Sequence, residues 1–114
     1  MVVELVGRTA DVEALRRHLP PEWLVRHVAA ARGARGWADA IVLVRPPVAR
    51  VRRTRFAHPV TPIITVIDAY DPVRRVVDLI EAGADACVRA GRPELLVDQL
   101  RDLLPRPQRR WLAA

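Results

Sequence analysis

The chain has 114 residues with a formal net charge of +6 and a pI near 11.3, the size of one ordinary domain. Its 51% hydrophobic and 28% charged content excludes a disordered chain. All 19 basic residues are Arg, and Lys, Ser and Asn are absent, which removes a serine nucleophile, a Schiff-base lysine and a phosphate loop ending in Lys-Ser/Thr.

Residues 2–6 (Val-Val-Glu-Leu-Val) predict a first strand closed by Gly7. A helix follows, with Thr9 as N-cap, an apolar face of Val12, Leu15 and Leu19, and Pro20-Pro21 as its stop. Residues 23–28 predict a second strand. The connection 29–38 holds two glycines, which disfavours a long helix. Residues 41–44 (Ile-Val-Leu-Val) predict a third strand buried on both faces, stopped by Pro46-Pro47. Residues 48–58 carry four Arg and only Val48, Val51 and Phe56 as larger apolar positions, so a weak helix or an irregular crossover is expected there. Residues 63–67 (Ile-Ile-Thr-Val-Ile) form the fourth strand. Asp71-Pro72 predicts a helix start, Asp as cap and Pro at the first position, with Val73, Val76, Val77 and Ile80 at helical spacing and Gly83 as the stop. Residues 86–88 give a short fifth strand, and Pro93 opens a last helix with Leu96, Leu100, Leu103 and Leu104 on its apolar face.

Five strands alternating with helices in one domain over residues 1–105, with a short basic tail over 106–114, imply a parallel sheet covered on both faces. The expected fold is α/β: a three-layer, doubly wound, flavodoxin-like domain with a five-stranded parallel sheet of order 2-1-3-4-5. Apolar runs stay short of 18 residues and Met1 leads straight into the first strand. Neither a membrane span nor a signal peptide is expected, and the expected location is the cytoplasm. The lone Cys87 excludes an internal disulfide and a Cys-rich zinc site, and His18, His27 and His58 lack ligand spacing. No metal and no cofactor is expected, and no nucleophile–base pair marks an enzyme.

Thr61-Pro62-Ile63-Ile64, then Glu81-Ala82-Gly83-Ala84-Asp85-Ala86, then Pro93-Glu94-Leu95-Leu96 resembles the second half of a response-regulator receiver domain. The strand–helix rhythm extends the resemblance over residues 2–104, and the length excludes a βα-barrel, which shares Glu-Ala-Gly-Ala-Asp. The resemblance implies aspartyl phosphorylation: an acidic pair after strand one and an aspartate ending strand three hold Mg²⁺, a Thr/Ser ends strand four and a Lys ends strand five. Here the acidic pair falls on Gly7 and Arg8, the phosphoacceptor on Val44 or Arg45, the Thr/Ser on Ile67 or Asp68, the Lys on Ala90 and the strand-five aromatic on Cys87. A hard cation needs carboxylate oxygens, and Arg8 and Arg45 repel it. Asp68 is expected to form a salt bridge instead. The chain therefore reads as a degenerate pseudo-receiver.

Charge is uneven: residues 1–60 carry 11 Arg and five acids, residues 61–114 eight of each. Arg45, Arg50, Arg52, Arg53 and Arg55 form a basic patch, read either as a solvated crossover or as a face for nucleic acid or another anion. Only Phe56 interleaves an aromatic there, which weakens the nucleic-acid reading. Receivers commonly meet partners or dimerise through their fourth helix, fifth strand and fifth helix. Here those elements carry Arg74, Val77, Asp78, Arg89, Arg92, Leu95, Asp98 and Arg101, a mixture of signs that suits self-complementary pairing as well as a solvated face. The expected function is phosphorylation-independent protein–protein contact with a protein partner or a second copy. The alternatives are a small-molecule sensor at the strand carboxyl ends and, third, nucleic-acid association.

Overall fold

A computed structural model describes residues 1–29, 33 and 37–103. Five strands, β1 (Val2–Gly7), β2 (Leu24–Ala29), β3 (Ala40–Val44), β4 (Ile63–Ile67) and β5 (Ala86–Arg89), alternate with α1 (Thr9–Arg16), α2 (Val48–Ala57), α3 (Val73–Ala82) and α4 (Pro93–Leu103). The strands form one sheet of order β2-β1-β3-β4-β5, every neighbouring pair parallel. The expected fold is the observed one. Residues 30–32, 34–36 and 104–114, and with them Leu104, Trp111 and the predicted tail, lie outside the described residues.

The continuous apolar runs of β3 and β4 are buried because both sheet faces are covered. On one face Val12 and Leu19, from α1 and the turn after it, and Leu96 and Leu100 of α4 pack against Val3, Leu5, Val42 and Ile64. On the other, Val51 of α2 and Leu79 and Ala82 of α3 pack against Val6, Ile41, Leu43 and Ile63. The helices thus divide into an α1/α4 layer and an α2/α3 layer.

Several local expectations change. The N-cap of α1 is Arg8 rather than Thr9, and Leu19 is buried from the turn beyond the helix. Residues 48–57 form a regular ten-residue helix entered from Pro47. Its inner side is completed by Thr54, whose hydroxyl donates to the Arg50 carbonyl at 2.8 Å, so the helix needs fewer apolar side chains than periodicity demands. Pro72, not Asp71, caps α3, because the Asp71 carboxylate instead accepts from the Asp68 N–H at 3.0 Å. The apolar stripe of α3 is also turned: of the predicted residues Val76 packs against the core beside the inward Leu79 and Ala82, while Val73, Val77 and Ile80 are 71%, 41% and 42% exposed. β5 lies at the sheet edge, as the expected order implies, and Cys87 there is half-buried with the Thr65 hydroxyl 2.9 Å from its sulfur.

Candidate functional site

The carboxyl ends of β1, β3, β4 and β5 meet on one rim, where doubly wound folds place their sites. At the end of β1, a Cβ on Gly7 would stand 2.9 Å from the Val44 Cβ. The Val44 side chain fills that space, so position 7 has no room for an aspartate. Arg8 is exposed; among the described residues no ion pair engages it. At the end of β3, Arg45 adopts a left-handed backbone at φ 50, a conformation worth roughly 1–2 kcal/mol of strain for a residue with a Cβ. Its N–H donates to the Val66 carbonyl at 2.8 Å. The turn throws the side chain back across the rim.

The Arg45 guanidinium there meets two carboxylates. Nε lies 2.7 Å from Asp68 Oδ1 and Nη1 3.6 Å from Asp11 Oδ1. The expected salt bridge to Asp68 is present. Asp11 was not legible as a partner, because it sits in the first turn of α1, where a carboxylate is ordinary; only the parallel pairing of β1 with β3 brings it to Arg45. Ile67 is buried. Ala90, expected at the lysine position, offers only a methyl group, and its N–H donates to the Ile67 carbonyl at 2.7 Å.

These residues do not fit a bound Mg²⁺. The two rim carboxylates already face a guanidinium, which carries the positive charge a metal would bring, and Gly7, Val44 and Ala90 supply no ligand oxygen from their side chains. Beside the ion pair lies a cavity of about 250 Å³ lined by Leu15, His18, Val44, Arg45, Ala90 and Pro93, among others.

The loop between β4 and α3 is tied from several sides. Arg89 Nη1 lies 3.4, 3.2 and 2.6 Å from the carbonyl oxygens of Asp68, Ala69 and Asp71. Arg75 donates to the Pro46 carbonyl at 2.5 Å and pairs with Asp71 at 4.0 Å. At the loop's apex Tyr70 is 98% exposed.

The predicted basic patch divides. Arg45 is engaged at the rim, and Arg55 donates to the carbonyls of Gly83, His58, Pro59 and Thr61 and to Asp85. Both are structural cations. Arg52 and Arg53 are exposed and Arg50 half-buried on α2, where Phe56 is also exposed. The patch is therefore smaller than its sequence suggests.

The predicted interface divides as well. Arg89 holds the loop, and the Arg101 guanidinium lies over the Trp23 ring, 5.8 Å from its centroid. Arg74 pairs with Asp78 along α3 at 3.2 Å. Arg92 pairs with Glu94 at 2.7 Å, and that hydrogen bond, with one from Glu94's own backbone, holds the Glu94 carboxyl below its ordinary range. Val77, Leu95 and Asp98 are exposed. Sequence reasoning missed Tyr70, Val73 and Ile80 as surface residues; the outward turn of the α3 stripe unites them with Val77.

No family model matches the chain, and no curated protein matches it. Solved structures do. The BeF3-activated receiver domain of DrrB, from Thermotoga maritima, superposes with a TM-score of 0.75 at 17% identity, over 90% of this chain and 95% of that one. The receiver domain of a signal transduction histidine kinase from Syntrophus aciditrophicus gives a TM-score of 0.75 at 22% identity, over 90% and 89%. A CheY-like receiver domain from Methanospirillum hungatei gives 0.72 at 18%, over 89% and 90%. The chain has the receiver-domain fold. Within that fold, the rim at the carboxyl ends of the strands holds an arginine between two aspartates.

Proposed function

We propose that the protein is a non-catalytic pseudo-receiver: a signalling domain of bacterial regulation that acts in the cytoplasm through phosphorylation-independent contact with a protein partner. Arg45 carries this reading. It stands just past the end of β3, where the resemblance puts the phosphoacceptor on Val44 or Arg45, and its guanidinium pairs with Asp68 at 2.7 Å and with Asp11 at 3.6 Å. An acyl phosphate needs a carboxylate there, with Mg²⁺ to screen its charge; the rim instead carries its own cation. The surfaces left for work are helical, chiefly α3 with the pinned Tyr70 loop.

Incubated with acetyl phosphate and Mg²⁺, the protein is expected to keep its unmodified intact mass. A stable adduct on any aspartate would overturn the proposal.

The cavity at the rim supports a second reading, a sensor for a small metabolite. Its volume suits a small ligand, its walls are largely apolar and Arg45, His18 and Asp11 supply the polar contacts. On this reading a metabolite panel contains a compound that raises the thermal midpoint in a concentration-dependent way, and the shift disappears in Ala90→Trp, which fills the cavity. A panel without such a compound counts against it.

A further inference from the structure

From the second half of α2 to the start of β4, the chain presents apolar and basic side chains that its own fold does not use. We propose that this segment docks the protein, peripherally and reversibly, on an anionic lipid bilayer. The residues that define the contact are Arg52, Arg53, Phe56, Pro59 and Val60.

Phe56 is 90% and Val60 92% exposed, with Ala57 and Pro59 also exposed between them. Side chains so open have almost no protein neighbours, and together they form a protruding apolar tip. α2 returns the chain from the carboxyl end of β3 to the amino end of β4. The tip therefore stands at the amino end of the sheet, away from the rim that holds Arg45. Arg55 fixes its shape. The carbonyls of His58, Pro59 and Thr61 all turn to that guanidinium, while the Val60 side chain is left in solvent. A tip already immobilised in this way loses little freedom on docking.

Arg52 and Arg53 are exposed, and no ion pair engages either of them among the described residues. α2 contains no acid, and none occurs in the sequence between Asp39 and Asp68. Asp85, at the same end of the sheet, is held by Arg55 at 2.7 Å. The two arginines precede Phe56 by one turn, so they share its side of the helix and lie roughly 5–6 Å behind it. Apolar groups that sink about 5–10 Å into a bilayer interface bring such arginines to the phosphates, which their long side chains reach while the stems stay apolar.

This combination selects the occupant. A nucleic acid strand would use the arginines and one aromatic ring but leave Pro59 and Val60 in water. A protein partner would need a pocket shaped to the tip, and the tip's few side chains fall short of a standard interface. A bilayer accommodates a protruding apolar tip of any shape, and its anionic headgroups complement the arginines. With so few groups engaged the contact is weak, and it depends steeply on anionic lipid content and on salt.

Flotation of the full chain with lipid vesicles tests the proposal. Binding is expected to vesicles of phosphatidylglycerol and phosphatidylcholine in equal parts, and not to phosphatidylcholine alone. Arg52→Gln with Arg53→Gln is expected to weaken it at least about tenfold, and so is Phe56→Ser with Val60→Ser. Val60→Cys in a Cys87→Ala background, labelled with an environment-sensitive dye, is expected to shift its emission to the blue on the mixed vesicles. Circular dichroism checks that each variant folds.

Absence of binding to the mixed vesicles would overturn the proposal. So would binding that the arginine variant loses and the apolar variant keeps, because that pattern marks a purely electrostatic surface. Retention of a single-stranded oligonucleotide without vesicle binding would assign the surface to nucleic acid instead. None of these results touches the pseudo-receiver reading, which stands on Arg45 at the opposite end of the sheet.

Discussion

Replacing Arg55 with alanine is expected to lower the stability of the protein by about 3 kcal/mol, read as a fall of roughly 10–20 °C in the thermal midpoint. The reason lies in what one guanidinium joins. Its Nε donates to the Gly83 carbonyl at 2.9 Å. Nη1 lies within 3.2 Å of the carbonyls of His58, Pro59 and Thr61, in the segment that joins α2 to β4. Nη2 reaches Asp85 Oδ2 at 2.7 Å, and that same oxygen accepts from the Ile63 N–H at 2.8 Å, at the start of β4. The Arg55 side chain is only 23% exposed, so water replaces part of this network and leaves the rest unsatisfied. Charge-assisted bonds contribute roughly 1.5–3 kcal/mol each, and their sharing of one side chain makes the total less than their sum. Arg55→Lys is expected to recover little, because a single ammonium cannot span acceptors on three segments. A loss below about 1 kcal/mol in urea titration would show that the network is not a clamp.

Gly83→Ala is expected to destabilise the protein by a similar amount, about 3 kcal/mol. Gly83 ends α3 at φ 124, where a side chain is strained whatever the surroundings, and the surroundings are closed. A Cβ there would stand 2.7 Å from the Arg55 Cβ and 2.8 Å from its Cγ. Backbone strain and overpacking therefore act together, and the displaced Arg55 also weakens its bond to the Gly83 carbonyl. The two sites touch, so the double variant is expected to fall short of the sum of the single losses. Full additivity would mean that Gly83 acts through its backbone alone.

The sheet was legible in the sequence because its inner strands, β3 and β4, are short runs rich in β-branched residues whose burial on both faces leaves no periodicity to misread. The pairing of Arg45 with Asp68 was legible for a related reason: both follow directly from where those strands end. The α3 helix was harder. Its sequence contains two apolar arcs, Val76 with Leu79 and Ala82, and Val73 with Val77 and Ile80. A helical period identifies such arcs without saying which one faces the sheet. The crossover helix α2 misled in the opposite direction, because its inner face is completed by a threonine bonded to its own backbone and by the stem of Arg55. Arg55 itself read as a free cation; its acceptors at Gly83 and Asp85 lie 28 and 30 residues away, beyond the reach of any local pattern. Asp11 was missed for the same reason, across the 34 residues that separate it from Arg45.

The ion pairs of Arg45 tie together three crossings of the chain beyond the ends of the sheet ladder: the entry to α1, the exit from β3 and the exit from β4. Each ion pair is half in water and worth at most about 1 kcal/mol. Arranged around one guanidinium, they nevertheless make the rim a single mechanical unit: none of the three loops can swing outward without releasing a charge held by another. Loops that would ordinarily fray independently then share one opening free energy, and the end of the sheet becomes a fixed base from which α3 and Tyr70 are held out to solvent.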